Sequence, residues 1–566
     1  MRRWLWAGLA AVLVLAVVMR FLPLLGFAVW GSDSGEYYVL TDRLVGGSAI
    51  RTDYSGWGFG YPYFPGMFLL SGEVHLLTGL PVLQAVQWVA PLAASLSVVL
   101  VFIIAVRAFG DGRAGLIAAG VLAVATPAVY ATSHPMPGAL GDMLALLCIL
   151  LLLRSLESRS GLAALGLASA ALVVTHHLST FFVLVPVLFA LLGRELVRVR
   201  TDVRRTAIEG GYAASLLSGS LLYWYACAAP FRERVIPEGL GLPPWAVLAL
   251  AYVALLALPL LVVLRRRLAP GARYRPSFPS VRRVGTLTAL FLAGGGLVLA
   301  ATALGVTPGT SIDIDDRAAY WFLPLLSVLA LAIGGIGGSE FSRDGFFVQL
   351  WLVSIALTLV FAVATGNHVL LPYRQVQYFI QPMAVLAGAG AVFLHDSWNP
   401  DRRRAASVAA AAAVSAAIVL CAATAYPPRE MMGGFEEGTT DGEMDAVAWL
   451  GQNGPPAELV ATDHRMSSMV FGFTGLNASW DDARETLHGD LQAARKEAAG
   501  LDTPSGTHPV QLVLLTPSVE AGAALAQWET ARPLSGEALA KFSSGFYVKL
   551  YESNGIRVFR AGQDGQ

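Results

Sequence analysis

Apolar residues fill most of the first 426 positions in long runs, without the strict alternation or one-sided periodicity of elements that face water. A spanning helix needs about 20 mainly apolar residues. Runs of this kind lie near 4–30, 86–106, 114–132, 138–153, 161–176, 178–193, 207–229, 244–264, 284–306, 319–338, 346–366, 374–394 and 405–425. They predict a polytopic α-helical membrane protein of thirteen spans. The first run opens with Arg2 and Arg3, as a signal peptide would. It resumes after Arg20 and continues to Trp30 with no convincing small-residue cleavage site, so it reads as a retained helix.

The pattern changes near residue 427. Pro427-Pro428 ends the last apolar run, and charged, glycine and turn residues follow. Residues 443–452 read as the start of an amphipathic helix. Short apolar runs at 458–462, 510–516 and 545–560 read as strands, the last as a hairpin turning at Asn554-Gly555. This predicts two parts: a membrane domain over 1–426 with a long first outer loop at 31–85, and a small extracytoplasmic α/β domain over 427–566.

Composition and charge fit this division. Hydrophobic residues make up 55% of the 566 positions and charged residues 14%, against about 25% charged in soluble domains. Net charge is zero, which excludes a basic nucleic-acid binder. All three lysines (Lys496, Lys541, Lys549) fall in the C-terminal part. With the N-terminus in the cytoplasm, the inner connections hold 22 arginines and the outer ones six. That asymmetry predicts a multi-pass cell-membrane protein, N-terminus inside and C-terminal domain outside. The basic loop at 265–283 reads as an orientation anchor on anionic lipid. Cys148, Cys227 and Cys421 each lie in an apolar stretch without ligand spacing, so neither a disulfide framework nor a zinc site is indicated.

Candidate chemistry gathers on the outer side. Asp33 stands where the first helix leaves the membrane, with Glu36 three residues on, then Tyr37 and Tyr38, Asp53, and an aromatic stretch with Trp57, Tyr61 and Tyr63. Carboxylates three apart share a helix face and suit a general base or a hard divalent cation; they suit a polar helix cap equally. Arg20 lies inside the first span, where a charge is a functional candidate or a snorkelling side chain. Asp142 begins an apolar helix after His134 and two prolines, and also suits a helix-dipole partner. Asp313, Asp315 and Asp316 cluster beside Arg317 as a metal or phosphate site or a solvated turn. His176-His177 occupy a tight turn. Arg374, opening a late helix, and Arg232, on another outer connection, are candidates for an anionic head group.

The order of these features resembles the GT-C superfamily of membrane glycosyltransferases. The matching residues are Arg20, Asp33, Glu36, Tyr37 and Tyr38, the stretch Gly60 to Gly66, the segment SHPMPGALGDMLALLCILLLL and the helix RQVQYFIQPMAVLAGAG. The ending VKLYESNGIRVFR is similar to the terminal hairpin of archaeal members. Departures accompany the likeness: His134 and Pro135 stand where oligosaccharyltransferases have a Ser-Arg-Ser arginine, and Ser479-Trp480-Asp481-Asp482 is a faint echo of their Trp-Trp-Asp-Tyr-Gly motif. Oligosaccharyltransferase-like and protein-mannosyltransferase-like activities are therefore both implied.

The resemblance implies transfer of a sugar or glycan from a polyprenyl-(di)phosphate donor, dolichyl phosphate included, to a protein, lipid or glycan acceptor at the outer membrane face. It implies Asp33 as base or metal ligand with Glu36 in support, and Asp33, Asp142, Asp313 and Asp315 around a Mg or Mn ion. Arg317, Arg374 and Arg232 would hold the donor phosphate, and Tyr37, Tyr38, Tyr61 and His134 would line the substrate loop. The rival readings are a flippase for lipid-linked sugars or another polytopic transporter, which would carry mid-membrane charges in several helices, and a non-catalytic scaffold whose outer domain binds a partner.

Overall fold

The structure is a computed structural model. It describes residues 3–51, 54–155, 161–196, 203–237, some positions between 241 and 253, 323–338, 343–365, 370, 372–396, 403–429, 434–523, 525 and 531–562. Helices follow one another through the first part: α1 (Arg3–Phe21), α2 (Ser34–Val45), α3 (Gly66–Thr78), α4 (Val82–Ser95), α5 (Ser97–Phe109), α6 (Gly112–Val124), α7 (Thr126–Ser133), α8 (Pro137–Ser155), α9 (Gly161–Thr175), α10 (His177–Leu196) and α11 (Val203–Cys227). They are followed by α12 (Leu323–Gly338), α13 (Arg343–Thr365), α14 (Pro372–Asp396) and α15 (Arg403–Ala423). Helices thus occupy every expected apolar segment outside 244–264 and 284–306, which lie almost wholly outside the described residues, as do the loop 265–283 and Asp53. Five described helices are long and apolar enough to cross a membrane, six if a bent pair counts as one span. The protein is a polytopic membrane protein.

Two departures from the expected pattern have local causes. The run near 114–132 is not one straight helix: α6 ends at Val124 and α7 starts at Thr126, bent by 55°. Pro127 has no N–H for the helical ladder, and its ring crowds the carbonyl four residues back. The stretch 31–85 is largely helical, through α2, a 3-10 turn at Tyr61–Tyr63, and α3. Ser71, Gly72, Glu73 and His75 interrupt the apolar run of α3 and hide its helical character.

Charges segregate to the two ends of the bundle. At one end Arg107 pairs with Asp344 at 2.7 Å, Arg205 with the same carboxylate at 3.3 Å, and Arg113 with Asp396 at 2.7 Å. Leu5, near the start of α1, lies against Gly112 at that end. The other end, where α1 finishes, carries Asp33. Between them α14 runs through the bundle core, with Tyr378, Ile380, Leu386 and Ala387 fully buried. A methyl added at Gly390 would overlap the Leu331 carbonyl of α12, so the glycine lets two helix backbones touch.

The C-terminal part forms a five-stranded sheet in the order β4-β3-β7-β9-β8, built from Asn477–Ala478, Leu459–Ala461, Val510–Leu515, Ile556–Ala561 and Tyr547–Ser553, with β5 (Leu501–Thr503) and β6 (Gly506–His508) paired in a separate ribbon. β3 runs parallel to both β4 and β7; β7–β9 and β8–β9 are antiparallel. Asn554 and Gly555, at φ 50° and 80°, make the tight hairpin turn between β8 and β9. Helix α16 (Asp441–Asn453) opens with a Thr440/Glu443 capping box. In the interior, Arg465 meets Glu443 at 2.9 Å. Burial opposes ionisation of Glu443, but the Arg465 bonds and charge prevail and hold it down to about 2.

Chain ends far apart in sequence are stitched together here. Val29 and Trp30 (β1) pair antiparallel with Thr439 and Gly438 (β2). Helix α2 crosses α17 (His464–Thr474) at close range. A methyl on Gly35 would overlap the Ser468 carbonyl, and one on Gly472 would overlap the Gly35 backbone. Tyr38 stacks on Phe473 with centroids 4.2 Å apart, and Val39, Tyr54 and Trp57 pack on Phe471 and Trp480. The first loop and the C-terminal sheet are therefore one packed body.

Candidate active site

Asp33 occupies the residue before the first turn of α2, yet its side chain makes no capping bond. Its carboxylate turns elsewhere. Oδ2 accepts from the Tyr61 hydroxyl at 2.7 Å and from the Tyr37 hydroxyl at 3.2 Å. Oδ1 lies 3.2 Å from His464 Nε2. His464 Nδ1 in turn lies 2.7 Å from Asp481 Oδ1, and Asp481 Oδ2 accepts from Trp57 Nε1 at 2.8 Å. The imidazole is thus a bridge between two carboxylates, closed by a tryptophan from the first loop. The Asp33 side chain keeps 15% of its surface exposed, which leaves it reachable.

The electrostatics follow from these contacts. Burial works against the charged form of both partners. For Asp33 the His464 bond and charge, the Tyr61 bond and the nearby Arg374 charge prevail, and its carboxyl is held below the usual range. For His464 the bonds to Asp33 and Asp481 prevail, and its titration is pushed well above that of a free imidazole.

Glu36 is sealed. It is fully buried, accepts from the Tyr54 hydroxyl, and accepts the Gly58 N–H at 3.0 Å. It therefore anchors the 54–58 turn that presents Trp57. Burial first, then the Asp33 charge, push its carboxyl up to about 7. A carboxyl whose native value exceeds its unfolded value lowers stability as pH rises through the interval between them, here from about 4.5 to about 7. A shift of this size corresponds to about 3 kcal/mol above that interval. Glu36→Gln is expected to raise the thermal unfolding midpoint of the detergent-purified protein at pH 8 and to leave it nearly unchanged at pH 4.5. An equal shift at both pH values would contradict this account.

Asp142 lies one turn into α8, 3% exposed, with Ser179 Oγ at 3.5 Å and a hydrogen bond from Tyr378. Ser179 also meets Tyr378 at 2.8 Å and His176 at 2.8 Å. Arg20 does not snorkel: it is 2% exposed, bonds Thr132 Oγ1 at 2.8 Å and the Ala16 carbonyl at 3.0 Å, and lies within electrostatic reach of Asp142. Arg374 is close enough to act on Asp33, Tyr37, His176 and His177 alike.

The remaining expected residues lie apart from this cluster or outside the described residues. His134 stacks on Trp30 at 5.3 Å, and its Nε2 is 3.7 Å from Glu437. Tyr38 faces Phe473 rather than Asp33. Arg232 is paired with Glu233 at 2.5 Å. Asp313, Asp315, Asp316 and Arg317 lie outside the described residues. Among the described residues no group of three or more His, Cys, Asp or Glu side chains forms a metal site.

His464 was not singled out from sequence, and Asp481 only as part of a faint motif. The available signal was positional. His464 follows the carboxyl end of β3 and Asp481 follows that of its parallel neighbour β4. Ligands and catalytic groups gather at such strand ends.

Two crystal structures of the Archaeoglobus fulgidus oligosaccharyltransferase share this architecture. One, in complex with Zn and sulfate, superposes with a TM-score of 0.56 at 13% identity over 98% of this chain and 73% of that one. The other, tethered to an acceptor peptide with an NVT sequon, gives 0.54 at 14% identity over 100% of this chain and 74% of that one. The chain shares the fold of that enzyme. The mycobacterial arabinofuranosyltransferase AftD aligns more loosely, with a TM-score of 0.49 at 14% identity over 100% of this chain and 40% of that one. No family model and no curated protein matches the sequence. Within this fold, the Asp33 carboxylate stands where α2, the Tyr61 turn, the start of α17 and Arg374 of α14 meet.

Proposed function

We propose that the protein is an integral-membrane glycosyltransferase that moves a sugar or glycan from a polyprenyl-(di)phosphate donor to an acceptor on the outer face of the membrane. The observation that carries this reading is the reachable Asp33 carboxylate, bonded by Tyr61, Tyr37 and His464, with Arg374 beside it. The fold shared with the archaeal oligosaccharyltransferase supports it, as does the position of Asp33 shortly beyond the apolar segment Arg3–Leu25, where a lipid tail can stay in hydrocarbon while its phosphate reaches water.

The chemistry is a single displacement. An acceptor oxygen or nitrogen bonds to the anomeric carbon while that carbon's bond to the phosphate oxygen breaks. The acceptor proton passes to Asp33, and the bonding electron pair leaves with the lipid phosphate. Ionised Asp33 accepts the proton as it becomes acidic during bond formation. Arg374 offsets the charge developing on the leaving phosphate. Glu36 supports the site by holding the Trp57 turn. Asp142, with Tyr378 and Ser179, sets the polar floor on the membrane side.

The test is the purified protein in lipid vesicles with sugar-radiolabelled polyprenyl-phosphate lipids extracted from its native host. Transfer of label to water-soluble or protein acceptors, with release of polyprenyl phosphate, is expected. Movement of intact label between leaflets with no cleavage would favour the flippase reading instead.

A further inference from the structure

The contact between Asp33 and His464 crosses the boundary between the membrane part and the C-terminal sheet, and docking does not require it. Docking is already provided by the glycine crossing of α2 on α17, the Tyr38–Phe473 stack, the packing on Phe471 and Trp480, and the β1–β2 pairing. A buried chain of carboxylate, imidazole and carboxylate is a poor way to gain stability, because each charge must leave water. Its cost points to a second purpose.

The chain is also built with local strain. Asp481 follows Trp480, whose φ of 52° is left-handed, an uncommon state for a bulky residue. Trp480 is 1% exposed, and its N–H donates to Ser467 Oγ at 3.0 Å, so the surroundings enforce the turn. That turn carries Asp481 to His464 Nδ1, and Trp57 locks the other Asp481 oxygen. The Trp57 ring also meets the imidazole edge-on, with centroids 4.8 Å apart. His464 is itself fixed at the start of α17 by the Asp463 cap on Met466. Both ring nitrogens of the imidazole are therefore engaged, Nδ1 with Asp481 and Nε2 with Asp33.

We propose that His464, held by Asp481 and Trp57, is a positioning residue for the transfer reaction: its Nε2–H fixes the Asp33 carboxylate so that the second lone pair of Oδ1 faces the acceptor. This rests on the reading of Asp33 as the transferase base. His464 takes no proton from the acceptor, since both ring nitrogens are already engaged with carboxylates. The C-terminal sheet is then a working part of the catalytic centre, which it completes through its two parallel strand ends.

The test uses the full chain in vesicles with the same radiolabelled lipid-linked donors, comparing His464→Ala, His464→Gln, Asp481→Asn and Asp33→Asn. His464→Ala is expected to lower kcat about 100-fold, the usual cost of a base displaced by an ångström, with the donor KM within two-fold. His464→Gln, whose amide can still donate to Asp33, is expected to recover part of kcat. Added imidazole is expected to restore part of the activity of His464→Ala. Unfolding midpoints report whether each variant is intact. If intact His464→Ala and His464→Gln both turn over at the wild-type rate while Asp33→Asn is inert, the positioning role is wrong and the transferase reading stands. If Asp33→Asn also keeps the wild-type rate, the transferase base reading falls first. If imidazole restores nothing and, in a folded variant, kcat falls while KM rises, His464 serves only to join the two parts.

Discussion

Asp33→Asn is expected to lower sugar transfer by about 10²- to 10⁴-fold, the range for loss of a positioned general base. The substitution keeps the shape and can still accept from Tyr61 and Tyr37 through its amide oxygen. It removes the charge that faces His464 and Arg374 and that, in the proposed mechanism, receives the acceptor proton. The donor KM is expected to change little, because the proposed mechanism holds the lipid phosphate by cationic groups rather than by Asp33. The assay is initial-rate transfer from radiolabelled lipid-linked sugar in vesicles. Transfer at the native rate would remove Asp33 from the mechanism. Uniform loss of donor binding would instead make it a binding residue.

The second large effect is expected at Gly35, two residues from Asp33. A methyl there meets the backbone of Ser468 and Met469, not the movable end of a side chain. Helices α2 and α17 must then separate, at a strain cost of about 1–3 kcal/mol. The separation pulls Asp33 away from His464, and a displacement near an ångström costs about 10²-fold in rate. Gly35→Ala is therefore expected to lose transfer about as severely as a change at the base itself. Gly60→Ala, in the same loop but with nothing within 4 Å of the added methyl, is the control expected to stay active. Equal activity of both variants would show that the crossing does not set the site.

Much of the membrane part was legible because hydrocarbon allows few backbone solutions. A run of apolar residues there must be helical to satisfy its own N–H and C=O groups, so helices fell where the runs lay. The hairpin at Asn554-Gly555 was legible for a similarly local reason, since its two positive φ angles favour those residue types. The bend at Pro127 and the helix α3 were less visible. The first depends on one missing N–H inside an apolar run, and the second on an apolar face broken by polar residues.

At the candidate site the sequence marked individual groups without their partners. Asp33 as a helix cap and Asp33 as a reactive carboxylate are identical in the linear pattern. Only its side-chain contacts separate them: no capping bond, and three donors from three different parts of the chain. Glu36 looked equivalent to Asp33 at a spacing of three, yet one is sealed under Gly58 and the other is reachable.

The sequence by itself determined a polytopic helical protein with a C-terminal α/β part, because lipid and water each impose a local composition that any short window reveals. The tertiary structure alone decided which carboxylate is reachable and which histidine faces it. Those depend on contacts between residues more than 400 positions apart, made possible by backbone approach at Gly35 and Gly472 and by strand ends that point the same way. A side chain's chemistry here is set by its neighbours in space, and no local pattern encodes a neighbour at that distance.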